Sequence, residues 1–260
     1  MRWFSTLHSV PDPQVTLIAF HYGGGNSSAY RNWGRYLPPN VNLLGVDLPG
    51  RGARYREPLI DRVEAVVDGL EQGMRLQRSI FATEKLVYFG HSIGALIAYE
   101  LAKRMIARVG MVPRHLIVSG AMAPHLLRTR PPLHALPKPQ FVAELRKYGG
   151  TPEAFFQNEE LMDLFIPILR SDFAIAETYR MNRLDPLACD LSVYGGSHDT
   201  AVSAEGLAAW EVLTTGACEI RMFSGGHFFL HEVERAVVTT VSSVLEKIAR
   251  DGVGQRVPVS

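Results

Sequence analysis

The residues able to do chemistry stand in the order serine, aspartate, histidine. Ser92 lies in Gly90-His91-Ser92-Ile93-Gly94, after the apolar run Leu86-Val87-Tyr88-Phe89 and before a helical stretch from Ala95 to Ala102. A strand that stops at Gly-x-Ser-x-Gly and leads into a helix makes a turn too sharp for side chains at the flanking positions. Gly90 and Gly94 permit that turn, which strains the backbone at Ser92 and holds its hydroxyl clear of the sheet as a nucleophile. The competing reading is a glycine-flanked serine in an ordinary loop, and the strand and helix on either side favour the nucleophile.

A serine hydroxyl needs a base within hydrogen-bond reach, and the base needs a carboxylate to orient it. Behind a nucleophile presented in this way, the acid and then the histidine follow on loops after later strands. Of the nine histidines, His8 precedes the sheet, His115 opens a strand, His125 and His134 fall in a helical insertion, and the elbow turns His91 elsewhere. His227, in Ser224-Gly225-Gly226-His227 directly after the last strand, is read as the base. His231, one turn further with Glu232 beside it, reads as a cap of the final helix, and His198 occupies the loop where the acid belongs. Asp199 is the only acid between the end of that strand and the next helix, so it is read as the orienting carboxylate. Its rival role is a solvated cap for the helix starting near Ser203, and Asp190 lies at the wrong end of its strand.

An acyl-enzyme mechanism also needs backbone donors where the oxyanion forms. One is the N–H of Ile93, after the nucleophile; the other belongs to the glycine loop after the first long strand, with Gly23 preferred and Tyr22 second. Gly23-Gly24-Gly25 has neither a following Gly-Lys-Ser/Thr nor the Gly-x-Gly-x-x-Gly spacing, which argues against a phosphate cradle.

These residues need a sheet to carry them. Apolar, β-branched runs at 14–22, 41–48, 86–89, 115–121, 190–195 and 218–223 predict strands, and between them come helical patterns, clearest at 62–76 and 204–213. Asn26, Ser27 and Ser28 would cap a helix suggested by the spacing of Tyr30, Trp33 and Leu37. Such alternation argues a mostly parallel sheet with helices on both faces. Between 125 and 183 the rhythm breaks into helices at 141–147, 152–157 and 159–179, read as a lid inserted into a single domain spanning 1–260; the plainer reading is an extra helical layer. A helix over 233–248 closes the fold and 251–260 is expected to fray.

Composition narrows the function class. The chain has 260 residues, 47% apolar and 20% charged, with a net charge of +1, as expected of an ordinary soluble domain with no general affinity for nucleic acid or membrane. The N-terminal residues show no signal-peptide pattern and no stretch reaches transmembrane length, so a cytoplasmic protein is expected. Cys189 and Cys218, the only two cysteines, fit no metal or redox spacing and read as buried thiols.

Taken together the motifs resemble the type II thioesterases that accompany polyketide synthases and non-ribosomal peptide synthetases. The resemblance runs along nearly the whole chain: Phe20-His21-Tyr22-Gly23-Gly24-Gly25 with Trp33; Asp47-Leu48-Pro49-Gly50-Arg51-Gly52 with Arg54 and Glu57-Pro58; Gly90 to Ala95; Ser119 to Pro124; Gly149 to Pro152. It continues in Leu169-Arg170-Ser171-Asp172-Phe173, Glu177-Thr178-Tyr179, Ala208-Ala209-Trp210 and Gly225 to Leu230. Gly23 stands where the family often has alanine, Ile93 where it often has methionine, and Thr200 where proline often follows the acid.

The resemblance implies an α/β-hydrolase fold with a helical lid and hydrolysis of acyl groups from the phosphopantetheine arm of acyl or peptidyl carrier proteins, with no cofactor of its own. A monomer is expected. Phe155, Phe156, Leu161, Leu164 and Phe165 would reshape the acyl chamber if the lid moves, or else pack the lid onto the core. Arg128, Arg130, Arg146 and Lys147 are candidate cations for an acidic carrier domain. The rivals are an esterase acting on small oxygen esters, an acyltransferase, and a carrier-binding module without activity.

Overall fold

A computed structural model describes residues 2–81, 85–127, 131–149 and 153–251. Its strands are β1 (Phe4–His8), β2 (Val15–Phe20), β3 (Val41–Val46), β4 (Leu86–His91), β5 (His115–Ser119), β6 (Asp190–Gly196) and β7 (Cys218–Phe223). They form one sheet in the order β1-β3-β2-β4-β5-β6-β7, parallel throughout except for β1 against β3. Every residue of β2, β3 and β4 is buried, which is why these runs are continuously apolar rather than alternating.

Successive residues face opposite layers. Ile18, Tyr88 and Leu116 pack with α1 (Val63–Leu76) and α2 (Ile93–Val109), while Leu17, Phe89 and Ile117 pack with α8 (Glu234–Arg250). Helix α1 is amphipathic, sending Val66, Val67, Leu70 and Met74 inward, so it can cover the sheet on one side and meet water on the other.

Two elements differ from expectation. His8 does not precede the sheet but ends β1, an edge strand whose short mixed sequence carries no clear period. In place of a helix through Leu37 there are two short 3₁₀ turns, Ser27–Tyr30 and Trp33–Arg35. Asn26 does cap the first, accepting from the Ser28 N–H at 2.8 Å. Gly34 packs so close to His8 that a Cβ would stand 2.9 Å from its ring, and Pro38-Pro39 forbids continuation.

The insertion between β5 and β6 contains α3 (Lys138–Tyr148), α4 (Glu153–Phe156) and α5 (Glu159–Thr178). It has a small core of its own, Phe141, Leu145, Phe156 and Ile166, with Phe155 against it. Leu161, Leu164 and Phe165 face solvent. None of Phe155, Phe156, Leu161, Leu164 and Phe165 lines the cavity holding Ser92, which Tyr148, Phe173, Ala176 and Tyr179 wall; Phe155 and Phe156 pack within the insertion. Arg146 pairs with Glu153 and Lys147 with Glu144; Arg128, Arg130, Pro152 and the tail 252–260 lie outside the described residues. Cys189 is buried, which pushes its thiol up to about 12, and Cys218 is half-buried. Among the described residues no helix is long and apolar enough to cross a membrane.

Candidate active site

Ser92 sits between β4 and α2 at φ 55° and ψ −117°, the only non-glycine with positive φ among the described residues. Its neighbours explain how the turn closes. A Cβ on Gly94 would stand 2.3 Å from the Phe20 carbonyl oxygen, and one on Gly90 2.2 Å from that of Gly94. The Ser92 N–H donates to Ser119 O on the adjacent strand at 2.8 Å. Gly94→Ala is therefore expected to destabilise the fold by about 2–3 kcal/mol, since backbone rather than a flexible side chain must yield. Chemical denaturation would measure the loss, and a wild-type unfolding midpoint would contradict it.

The loops after β6 and β7 bring Asp199 to His227. Ser197 N–H donates to Phe223 O at 2.8 Å and His198 N–H to Gly225 O at 2.9 Å. A Cβ on Gly196 would come within 2.3 Å of Gly226 O, so the paired glycines let the loops touch. His227 Nδ1 lies 2.8 Å from Asp199 Oδ2, with side chains 5% and 2% exposed. Asp199 Oδ1 accepts from Ala201 N–H at 2.8 Å. With a carboxylate on Nδ1, that nitrogen carries the proton and Nε2 is left as the basic atom. The cap reading of Asp199 is set aside, because Ser203 itself accepts from Gly206 N–H at 3.1 Å to begin α6 (Ala204–Ala208).

Ser92 and His227 line the same cavity of about 190 Å³, with no hydrogen bond between Oγ and Nε2. Bonds of this kind in ligand-free sites often tighten only when substrate binds. Two other histidines differ from expectation. His91 is not turned away from the site: its ring centroid is 5.3 Å from that of His227 and its Nδ1 is 2.8 Å from Ser119 Oγ. Burial, with the neighbouring His227 charge, pushes its pKa well below the usual value, so a neutral ring backs the base. His231 does not cap α8; it lies in α7 (Phe229–Glu232) and its Nε2 meets Tyr22 OH at 2.8 Å.

Gly23 and Ile93 line a smaller space of about 50 Å³ together with Ser92 and His227. Neither amide has a hydrogen-bond partner among the described residues, and the same holds for the N–H of Tyr22, the second candidate, which lines this space too. The loop is held from the insertion. Asp172 on α5 accepts from Gly24 N–H at 2.7 Å and takes Arg51 in a fork, Nη1 at 2.5 Å and Nη2 at 2.7 Å. The pair is 5% and 0% exposed. A carboxylate beside nascent negative charge would oppose it, and Arg51 neutralises that charge. Burial and then Arg51 bring His21 down to about 4, keeping it neutral as well. Asp172 and Arg51 stand in motifs whose local pattern gives neither a role; the one signal in the chain is an acid on the apolar face of α5. Among the described residues there is no group of three or more His, Cys, Asp or Glu side chains placed to hold a metal.

The family described as Thioesterase domain matches residues 15–250. The chain is 34% identical over 250 residues to linear gramicidin dehydrogenase LgrE of Brevibacillus parabrevis, covering 94% of this chain and 93% of that one. It is 34% identical over 249 residues to thioesterase PikA5 of Streptomyces venezuelae, covering 94% and 85%. The solved structure of the type II thioesterase BorB from the borrelidin biosynthetic cluster superposes with a TM-score of 0.81 at 29% identity, covering 94% and 96%. The word dehydrogenase finds no counterpart in this glycine loop, which lacks the dinucleotide spacing and whose Gly24 amide is spent on Asp172. The family match, the full-length relatives and the sheet with its elbow agree, and this chain belongs to the thioesterase family, as a type II thioesterase with an α/β-hydrolase fold.

Proposed function

We propose that Ser92, His227 and Asp199 hydrolyse acyl groups from the phosphopantetheine arm of carrier proteins, through an acyl-enzyme on Ser92. The observation that carries this reading is one small space lined by the strained serine, a histidine oriented by a buried carboxylate, and Gly23 and Ile93, whose amides have no partner among the described residues. His227 Nε2 takes the proton as Ser92 Oγ attacks the thioester carbonyl carbon, and Asp199 stabilises the imidazolium. The carbonyl oxygen becomes an oxyanion between the Gly23 and Ile93 N–H groups. The C–S bond then breaks and the arm leaves as a thiol protonated by His227, an easy departure for a group of pKa ~8.5. Water, deprotonated by His227, attacks the acyl-serine; the bond from the acyl carbon to Ser92 Oγ breaks, Oγ takes its proton back from His227, and the acid is released. No cofactor takes part in this scheme, and the lid role of 125–183 belongs to the same reading.

The relatives support the substrate class: BorB is named a type II thioesterase of a biosynthetic cluster. The test compares an acetyl- or propionyl-loaded carrier protein with p-nitrophenyl acetate. Carrier-bound thioester is expected to be turned over with much the larger kcat/KM; soluble ester cleaved well while the carrier thioester is left intact would replace this reading with an esterase.

A further inference from the structure

Adjoining the space around Ser92 is a larger groove of about 790 Å³ lined by Pro131, Pro132, Leu133, His134, Glu177 and Asp199. Five residues line both: Met122, Tyr148, Arg180, Ala201 and Val202. Arg180 is the one charged side chain at this seam. We propose that Arg180 binds the phosphodiester of the substrate's pantetheine arm, which would lie at this seam, the mouth of the inner space, while the arm reaches inward to bring its thioester to Ser92. This rests on the carrier-thioester reading above and extends it to the phosphate end of the arm.

Three observations carry the assignment. Arg180 is exposed, so an incoming anion reaches it without displacing protein. Its guanidinium is nevertheless held, because Nη1 donates to Glu177 O at 2.8 Å and Tyr179 O at 2.7 Å at the carboxyl end of α5. That leaves Nε and Nη2 without partners among the described residues, and those two N–H groups form the edge that grips two phosphate oxygens together. The charge is also uncompensated. No carboxylate pairs with Arg180 among the described residues, and the acid nearest in sequence is occupied: Glu177 accepts from Leu133 N–H at 2.9 Å and His134 N–H at 3.0 Å, and meets His134 Nδ1 at 2.6 Å. A thioesterase for free apolar acyl groups has no use for a held, unpaired cation at its mouth; an arm ending in a phosphodiester does.

The test compares two substrates that differ only by a phosphate, acyl-pantetheine and acyl-4′-phosphopantetheine with the same acyl group, so that no carrier surface contributes. Wild type is expected to favour the phosphorylated arm by about five- to tenfold in kcat/KM, the range of a partly exposed bidentate ion pair. Arg180→Gln, which keeps a donor for the α5 carbonyls, is expected to bring the ratio to near one, and Arg180→Ala to do the same. A ratio unchanged in both variants, whether or not overall activity drops, would make Arg180 a cap of α5 and overturn the proposal. Loss confined to the loaded carrier protein would assign Arg180 to the carrier's surface and overturn it too. Wild type that cleaves neither compound nor the loaded carrier would remove the thioester reading and this inference with it.

Discussion

Ser92→Ala is expected to lower kcat on acyl thioesters by about four to six orders of magnitude, because one oxygen is both the attacking atom and the partner of the base. The fold should hardly notice. Alanine at φ 55° carries the same Cβ strain as serine, and Ser92 Oγ makes no hydrogen bond among the described residues that the substitution would break. Ser92→Gly sharpens the point: it relieves the left-handed strain, worth about 1 kcal/mol, and should raise the unfolding midpoint while remaining inactive. A more stable and inactive Ser92→Gly would mark the strain as serving the nucleophile. Residual activity above a hundredth of wild type in either variant would mean that another group attacks the thioester.

Asp172→Ala should be the most damaging change away from the triad. It leaves the Arg51 guanidinium, 5% exposed, without a counter-charge, a loss of about 3–5 kcal/mol for a buried pair broken on one side. It also frees the Gly24 N–H and with it the loop carrying the Gly23 amide. Loss of one well-placed oxyanion donor is worth a factor of about 10²–10³ in kcat, so turnover by the molecules that remain folded should fall with KM little changed. Asp172→Asn keeps an acceptor for Gly24 and should fall between. Urea titration with steady-state kinetics measures both effects; a stable and fully active Asp172→Ala would show that the insertion does not hold the glycine loop.

How much of this was written in the chain depends on the range of the interaction. Ser92, Asp199 and His227 were legible because each stands at the end of an element whose period can be read, and chain order then leaves few candidates. The glycines beside them were legible for the same reason, since close approach leaves no room for a side chain. Asp172 with Arg51 was not, because the two are 121 positions apart and no local rule pairs them. The same holds for His91 and His231, whose roles depend on rings brought in by other loops. β1 escaped because five mixed residues at a sheet edge show no strong period, and the turns near Tyr30 because packing against His8 and a proline pair override helical spacing. The choice between an acyl-facing and a packing role for Phe155 and Phe156 was not legible, since apolar residues on an insertion pack on each other as readily as on a ligand, and periodicity alone does not separate the two.

The most direct measurement is the release of free acid from a propionyl-loaded carrier protein by wild type and by Ser92→Ala, with mass spectrometry of the enzyme during turnover. Rapid release by wild type is expected, with a propionyl adduct on the peptide containing Ser92, and neither in the variant. Release that persists in Ser92→Ala, or an adduct on any other residue, would contradict an acyl-enzyme on Ser92.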